Sequence, residues 1–166
     1  MTTNLAVRAK RLDSSSLVQC EAEKLMISAY GQQVGVFLTP NKQFRFEKIA
    51  LTVDGWKDDG NSVLLVEAWA HVGKAKSAQR NKVLADVLKL VFLTRRIKLG
   101  APSKKVDCAM LFLDPQAATV IQGKTWGGAA VSDFGIRTVV INLAAEMLSR
   151  IKIAQIKQDI RIGGFP

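Results

Sequence analysis

The chain has 166 residues, with 24 Lys and Arg against 14 Asp and Glu and a formal net charge of +10. This length is enough for one well-buried domain and is short for two. No apolar run approaches the ~18 uncharged residues that cross a bilayer, and no N-terminal apolar segment has the character of a secretory signal. Cys20 and Cys108 lack metal-ligand spacing, so we expect buried thiols in a reducing compartment and a cytoplasmic protein.

The N-terminal part is predicted to hold a lead-in and then a helix. Residues 1–12 mix Arg and Lys with small residues, and we expect them to be weakly ordered before a single domain over 13–166. An Asp-Ser-Ser-Ser cluster is a good N-cap for a helix over 17–30, which Gly31 should end before a short strand over 34–38. The apolar stripe predicted for this helix consists of Val18, Ala22, Leu25, Met26 and Ala29.

Two neighbouring strands are predicted next, over 44–54 and 63–72, and an Asp-Gly turn between them favours a hairpin. Asp54 is expected at the end of the first strand, where an Asp also serves as an ordinary turn starter. Glu67 lies inside the second strand, where a carboxylate is costly unless it is paired or bound to a metal. The alternative for Glu67 is an outward position on an edge strand.

Ser77 is predicted to cap a helix that runs to about Arg96, and the apolar run over 106–113 is typical of a central strand buried on both faces. Residues three and four apart place several polar side chains on one face of that helix. These polar residues are Gln79, Lys82, Asp86 and Lys89.

The C-terminal part is predicted to contain a helix from Pro115 to Gln122, a strand over 136–143 and a last helix over 144–162. The order α–β–β–β–α–β–α–β–α indicates an α/β domain with a mixed sheet. The last helix has an apolar and a basic face, so it either supports a homodimer or closes the core.

Nearly all of the net charge lies between residues 74 and 105. This segment contains ten basic residues and one acid, Asp86, and has a formal charge of +9. A localised positive field suits a polyanion, and phosphates dominate the affinity of nucleic-acid binding. The alternative is a solvated helix face followed by a basic loop. The residues predicted to contact nucleic acid are Lys74, Lys76, Arg80, Lys89, Arg95, Arg96, Lys98, Lys104 and Lys105.

The carboxylates Asp54 and Glu67 are separated by one hairpin, so their side chains can share a site. Phosphodiester hydrolysis needs an activated water, neutralisation of the phosphate charge and a proton acceptor. Mg²⁺ or Mn²⁺ supplies the first two, and Mg²⁺ typically takes one or two carboxylates together with waters and phosphate oxygens. A nearby lysine would stabilise charge that develops on the phosphate.

Over residues 13–143 the chain resembles the PD-(D/E)XK nuclease superfamily, which has the restriction-endonuclease-like fold. The residues that match its motif order are Glu21, Asp54, Glu67, Gln79 and Lys82. The resemblance implies a central mixed β-sheet flanked by helices and a metal-dependent nuclease acting on DNA. It also implies Asp54 and Glu67 as ligands of Mg²⁺ or Mn²⁺, with Glu21 assisting and Gln79 orienting a neighbouring group.

One position departs from that motif, because Trp69 stands two residues after Glu67, where the superfamily has its lysine. Relocated lysines occur in the superfamily, and Lys74, Lys76 or Lys82 is expected to supply the amine. If none does, the chain is a catalytically inactive nucleic-acid-binding or assembly module on the same fold. A third alternative is a structural protein whose basic face binds an acidic partner.

Overall fold

A computed structural model describes residues 14–163, so the predicted lead-in over 1–12 lies outside the described residues. The described part contains five α-helices and five β-strands, with one short 3-10 turn after α3. In chain order the elements are α1 Ser14–Val34, β1 Thr39–Phe46, β2 Ile49–Asp58, β3 Ser62–Trp69, α2 Ser77–Gly100, β4 Lys105–Phe112, α3 Pro115–Ala118, the 3-10 turn Thr119–Ile121, α4 Trp126–Asp133, β5 Ile136–Val140 and α5 Ala145–Gly163.

The strands form one five-stranded sheet in the order β1-β2-β3-β4-β5. The pairs β1–β2 and β2–β3 are antiparallel, whereas β3–β4 and β4–β5 are parallel. The parallel pairs need crossover connections, and helices α2 and α4 supply them. The predicted α/β fold with a central mixed sheet flanked by helices is therefore confirmed.

Helices cover both faces of the sheet, and β3 contributes alternate side chains to the two layers. On one face Val66 and Ala68 pack with α1 and α5. On the other face Leu65 and Trp69 pack with α2. By this alternation Glu67 lies on the α2 face of the sheet. The residues before and after it in β3, Val66 and Ala68, are both buried. No helix among residues 14–163 is both long and apolar enough to cross a membrane.

The end of α1 differs from its prediction, since the helix continues past Gly31 to Val34 and residues 36–38 are not a strand. Gly31 serves a close approach: a Cβ there would lie 2.7 Å from the carbonyl oxygen of Val36. The chain leaves the helix through Gly35, which has a φ of +71°. The glycine that marks the helix end is thus four residues later than predicted.

The predicted strand over 44–54 is in fact two strands, β1 and β2, which reverse at Glu47 and Lys48. Glu47 has a φ of +50°, a left-handed conformation that is uncommon for a residue other than glycine. The turn has no Gly, Pro or Asn to reveal it in the sequence. The predicted hairpin between β2 and β3 is confirmed, with Asp59 and Gly60 in its turn.

Helix α4 was not predicted, because Gly127 and Gly128 stand in its first turn. Both glycines allow close packing: a Cβ at Gly127 would lie 3.0 Å from Leu84, and one at Gly128 would lie 2.6 Å from the carbonyl oxygen of Gly123. Thr125 caps the helix by accepting a hydrogen bond from the Gly128 amide at 3.1 Å. Packing and the cap therefore outweigh the low helix propensity of glycine.

Candidate functional site

Asp54 lies where β2 and β3 stop pairing. The β2–β3 ladder ends at Gly55 and Val66, and the Ala68 amide donates a hydrogen bond to Oδ2 of Asp54 at 2.9 Å. The Asp54 side chain thus accepts the hydrogen bond that a backbone carbonyl of β2 would accept if the ladder continued. This bond holds the carboxylate against β3. Strand β2 itself runs on to Asp58, so Asp54 is within the strand and not at its predicted end.

Glu67 is buried, with 2% of its surface exposed, and its two oxygens have different surroundings. Oε2 lies 2.8 Å from Nζ of Lys89, which also lies 3.1 Å from Oδ1 of Asp86. Oε1 is buried and has no hydrogen-bond partner among the described residues. A buried acceptor without a partner costs about 1–3 kcal/mol, so such an atom in a folded protein calls for a reason.

Burial and, after it, the charge of Asp54 together raise the pKa of the Glu67 carboxyl to about 9, although Lys89 opposes both. Burial lowers the pKa of Lys89, but Glu67 and Asp86 outweigh it, so that pKa lies above its ordinary value. A buried carboxyl group whose pKa a neighbouring acid raises favours a bound proton or a cation close to it.

Glu23 of α1 belongs to the same electrostatic cluster. Burial raises its pKa to about 7, with Asp54 and Asp86 adding to the increase and Lys82 opposing it. Glu23 and Asp54 also line one cleft of about 270 Å³ between α1 and the sheet. Electrostatic interactions therefore link acidic side chains of α1, β2, β3 and α2. We define the carboxylate cluster as Glu23, Asp54, Glu67, Asp86 and the amine of Lys89.

Glu21 and Gln79 lie elsewhere. Glu21 accepts hydrogen bonds from Arg150 of α5 at 2.7 and 3.1 Å on the protein surface. Glu23 takes the place in the cluster that the motif order predicted for Glu21, because two residues are about 200° apart around a helix. The Gln79 side chain accepts a hydrogen bond from the Lys76 amide at 2.8 Å, which stabilises the first turn of α2.

The three lysines predicted to supply the amine are dispersed. Lys74 is exposed and lines a separate pocket of about 500 Å³ with Arg80. Lys76 precedes α2 and is exposed. Lys82 is near enough to Glu23 to lower its pKa. The lysine that contacts Glu67 is Lys89, which sequence reasoning had assigned to nucleic-acid binding.

The remaining basic residues do not form one uniform surface. Lys104 pairs with Asp58 at 2.7 Å, and Lys105 pairs with Asp107 at 3.1 Å. Arg96 lies over the ring of Phe46. The basic side chains that are exposed on and before α2 are Lys74, Lys76, Arg80, Lys82, Arg95, Arg96 and Lys98.

Two patterns in the sequence could have revealed the missed members. Glu23 is spaced four and seven residues from Ile27 and Tyr30, both buried, so all three share a face of α1. Lys89 follows Asp86 by three residues on the polar face of α2. Neither pattern says which face of each helix meets the sheet.

The cluster fits a hard divalent cation that takes few protein ligands. Among residues 14–163, no three Asp, Glu, His or Cys side chains are grouped closely enough to hold a metal by themselves. Mg²⁺ typically uses one or two carboxylates and completes its shell with waters and substrate phosphates. Two carboxylates suit that coordination: that of Glu67, whose Oε1 has no hydrogen-bond partner among the described residues, and that of Asp54, whose charge raises the pKa of Glu67.

No protein-family model matches the chain, and no curated protein matches it. Among solved structures, an XisH family protein from Nostoc punctiforme is similar, with a TM-score of 0.50 and 9% sequence identity. The match covers 72% of this chain and 89% of that one. At this identity the likeness shows the fold alone, which is a mixed five-stranded sheet flanked by helices, of the restriction-endonuclease-like type.

Proposed function

We propose that the protein is a metal-dependent nuclease that hydrolyses phosphodiester bonds in DNA, with Asp54 and Glu67 as ligands of Mg²⁺ or Mn²⁺. The observation that carries this proposal is the state of Glu67. Its carboxylate is buried, the charge of Asp54 raises its pKa, one oxygen contacts Lys89, and the other has no partner among the described residues. A structural ion pair needs no such oxygen, whereas a metal ligand does.

Lys89 fills the role of the motif lysine that Trp69 displaces. The Trp69 ring is 5% exposed, stacks on His71 with centroids 4.6 Å apart and packs edge-on against Phe112. Position 69 is therefore used for packing on the α2 face of the sheet. Helix α2 brings the Lys89 amine to Glu67 on that same face. An ammonium there stabilises negative charge on a phosphate bound at the carboxylates.

The chain also contains a group suited to proton transfer. Glu23 lines the cleft beside Asp54, and its pKa of about 7 lets it exchange a proton at neutral pH. In the proposed reaction Glu23 accepts a proton from the attacking water, and Asp54, held by the Ala68 amide, keeps its orientation. The bound cation would neutralise phosphate charge and lower the pKa of that water.

Cleavage of DNA tests the proposal. Supercoiled plasmid and single-stranded DNA are incubated with Mg²⁺ or Mn²⁺ and, separately, with EDTA. We expect cleavage only with metal and a loss of at least about 100-fold in Asp54→Asn and Glu67→Gln. Asp58→Asn is the matched control, because Asp58 is also an acid of β2 that contacts a lysine but lies outside the cluster.

Two results would refute the nuclease: no cleavage of any DNA with either metal, or full cleavage by Glu67→Gln. Either result favours the second candidate, a non-catalytic nucleic-acid-binding module on this fold. Trp69 at the motif position supports that candidate. It predicts binding that weakens steeply with salt, persists in Glu67→Gln and falls when exposed cations of α2 such as Arg95 and Lys98 are replaced.

A further inference from the structure

An apolar groove adjoins the cleft that is lined by Glu23 and Asp54 of the carboxylate cluster. The groove has a volume of about 470 Å³, and the residues that line both it and the cleft are Lys24, Ile27 and Pro40. The two spaces are therefore neighbours, with these three residues at their shared border. Phe37 also lines the groove, with 80% of its surface exposed. A chain bound at Asp54 would meet this groove next.

The backbone holds Phe37 outward. The Val36 amide donates to the carbonyl of Gly31 at 2.9 Å and the Gly35 amide to that of Gln32 at 3.3 Å, which is the Schellman pattern of a helix end. On the other side of Phe37, Leu38 is buried with 5% exposed. Both neighbours in the chain are thus anchored. The exposed ring is a consequence of this turn.

We propose that the groove binds an unpaired nucleobase of the strand whose phosphate lies at the carboxylate cluster, and that the base stacks on Phe37. This inference rests on the proposed function and names its substrate class as single-stranded or locally unpaired nucleic acid. Lys24 is exposed and lines both the groove and the cleft. It therefore lies where the backbone between the bound base and the bound phosphate must pass.

The occupant follows from the chemistry of the two adjoining spaces. A phosphodiester chain presents an anion and a flat apolar face at each nucleotide, and the cleft and the groove offer a place for each. Aromatic side chains that stack on bases are a general means of binding single strands. In a duplex, the faces of the bases are covered by their neighbours, so a base must leave the stack before it can contact Phe37.

Binding of an oligonucleotide with one 2-aminopurine tests this without any cleavage. The base loses fluorescence on stacking, and the titration is done at low salt in EDTA. We expect the wild type to quench the single-stranded probe. Phe37→Ala should bind about tenfold more weakly with little quenching, whereas Phe37→Trp should keep both. Phe134→Ala is the matched control, since Phe134 is 59% exposed but lines pockets beside α2 and α4.

The inference is overturned if Phe37→Ala binds and quenches like the wild type, if the wild type does not bind the probe, or if a paired 2-aminopurine is quenched equally in a duplex. Because Phe37 is exposed, its replacement should leave the melting temperature unchanged, and circular dichroism checks this. Quenching that depends on Phe37, without metal-dependent cleavage, would refute the proposed nuclease activity and support base binding in the groove. Cleavage that needs Glu67 but is indifferent to Phe37 would do the reverse.

Discussion

Two lysine–carboxylate pairs of this sheet have almost the same length and very different surroundings. Lys104 contacts Asp58 at 2.7 Å, and Lys89 contacts Glu67 at 2.8 Å. The Asp58 pair lies at the end of β2, where both oxygens accept hydrogen bonds, one of them also from the Gly60 amide. The Glu67 pair lies inside β3 and leaves Oε1 without a partner among the described residues.

The surroundings decide what each pair does to its acid. Lys104 lowers the pKa of the Asp58 carboxyl, and the Gly60 amide assists. Burial instead raises the pKa of the Glu67 carboxyl to about 9, although Lys89 opposes it. The first pair completes a turn and needs nothing more. The second is an incomplete arrangement that a cation would complete, and this difference distinguishes a structural pair from a candidate site.

We expect the largest difference in cleavage rate between two single variants, one without the Lys89 amine and one without the Lys104 amine. In Lys89→Met the amine at the carboxylate cluster is lost, and we expect metal-dependent DNA cleavage to fall by about 100- to 1000-fold. In Lys104→Met only the turn contact is lost, and cleavage should stay within about twofold. Initial rates at saturating DNA and Mg²⁺ measure both. Equal losses in the two variants would remove the distinction drawn between the pairs.

A smaller contrast is expected within α1. Glu23→Gln should lower the cleavage rate by about 10- to 100-fold, because this side chain lines the cleft and titrates near pH 7. Glu21→Gln should leave the rate unchanged, since Glu21 contacts Arg150 on the surface. Between pH 5.5 and 9 the wild-type cleavage rate should rise with pH as Glu23 loses its proton. Among these variants, only Glu23→Gln should lack this rise. A loss in Glu21→Gln instead would restore the motif assignment.

The last expected effect concerns the pH dependence of stability in the absence of metal. Folded Glu67 keeps its proton up to a pKa of about 9, whereas the unfolded carboxyl loses it near its ordinary value of 4.5. The folded state therefore binds more protons in this window, and the free energy of unfolding should fall as pH rises through it. Urea unfolding at several pH values measures the slope.

Two variants give that slope a control. Glu67→Gln should flatten it. Asp58→Asn should not, because the pKa of Asp58 is lowered and its stabilisation is lost only as pH falls through the acid range. An unchanged slope in Glu67→Gln would show that burial of this carboxyl does not control the pH dependence.

The sequence predicted the sheet and two of the acids because those features depend on local pattern. Glu67 was found as a charge within an apolar strand, and Asp54 as an acid before the hairpin. The turn at Glu47 was not found, because it uses a left-handed Glu where a Gly or Asn would have indicated it. The fold class survived that error, since splitting one strand into a hairpin leaves the rest of the sheet intact.

The choice between Glu21 and Glu23 depends on the rotation of α1, which packing sets. The predicted stripe included Leu25, yet Leu25 is 43% exposed and Ile27 is 4% exposed. The helix is therefore turned so that Ile27 faces the sheet, and Glu23 comes with it. The contact of Lys89 with Glu67 was not predicted for the same reason. It is set by how α2 crosses β3 and not by the neighbours of Lys89 in sequence.

Binding of Mn²⁺, followed by electron paramagnetic resonance of the free ion, tests the central claim that Asp54 and Glu67 hold a divalent cation. The protein as a whole is titrated beside Asp54→Asn, Glu67→Gln and Asp58→Asn. We predict that the wild type and Asp58→Asn bind Mn²⁺ alike, and that the other two variants bind it at least about tenfold more weakly. Undiminished binding in Glu67→Gln would contradict the account.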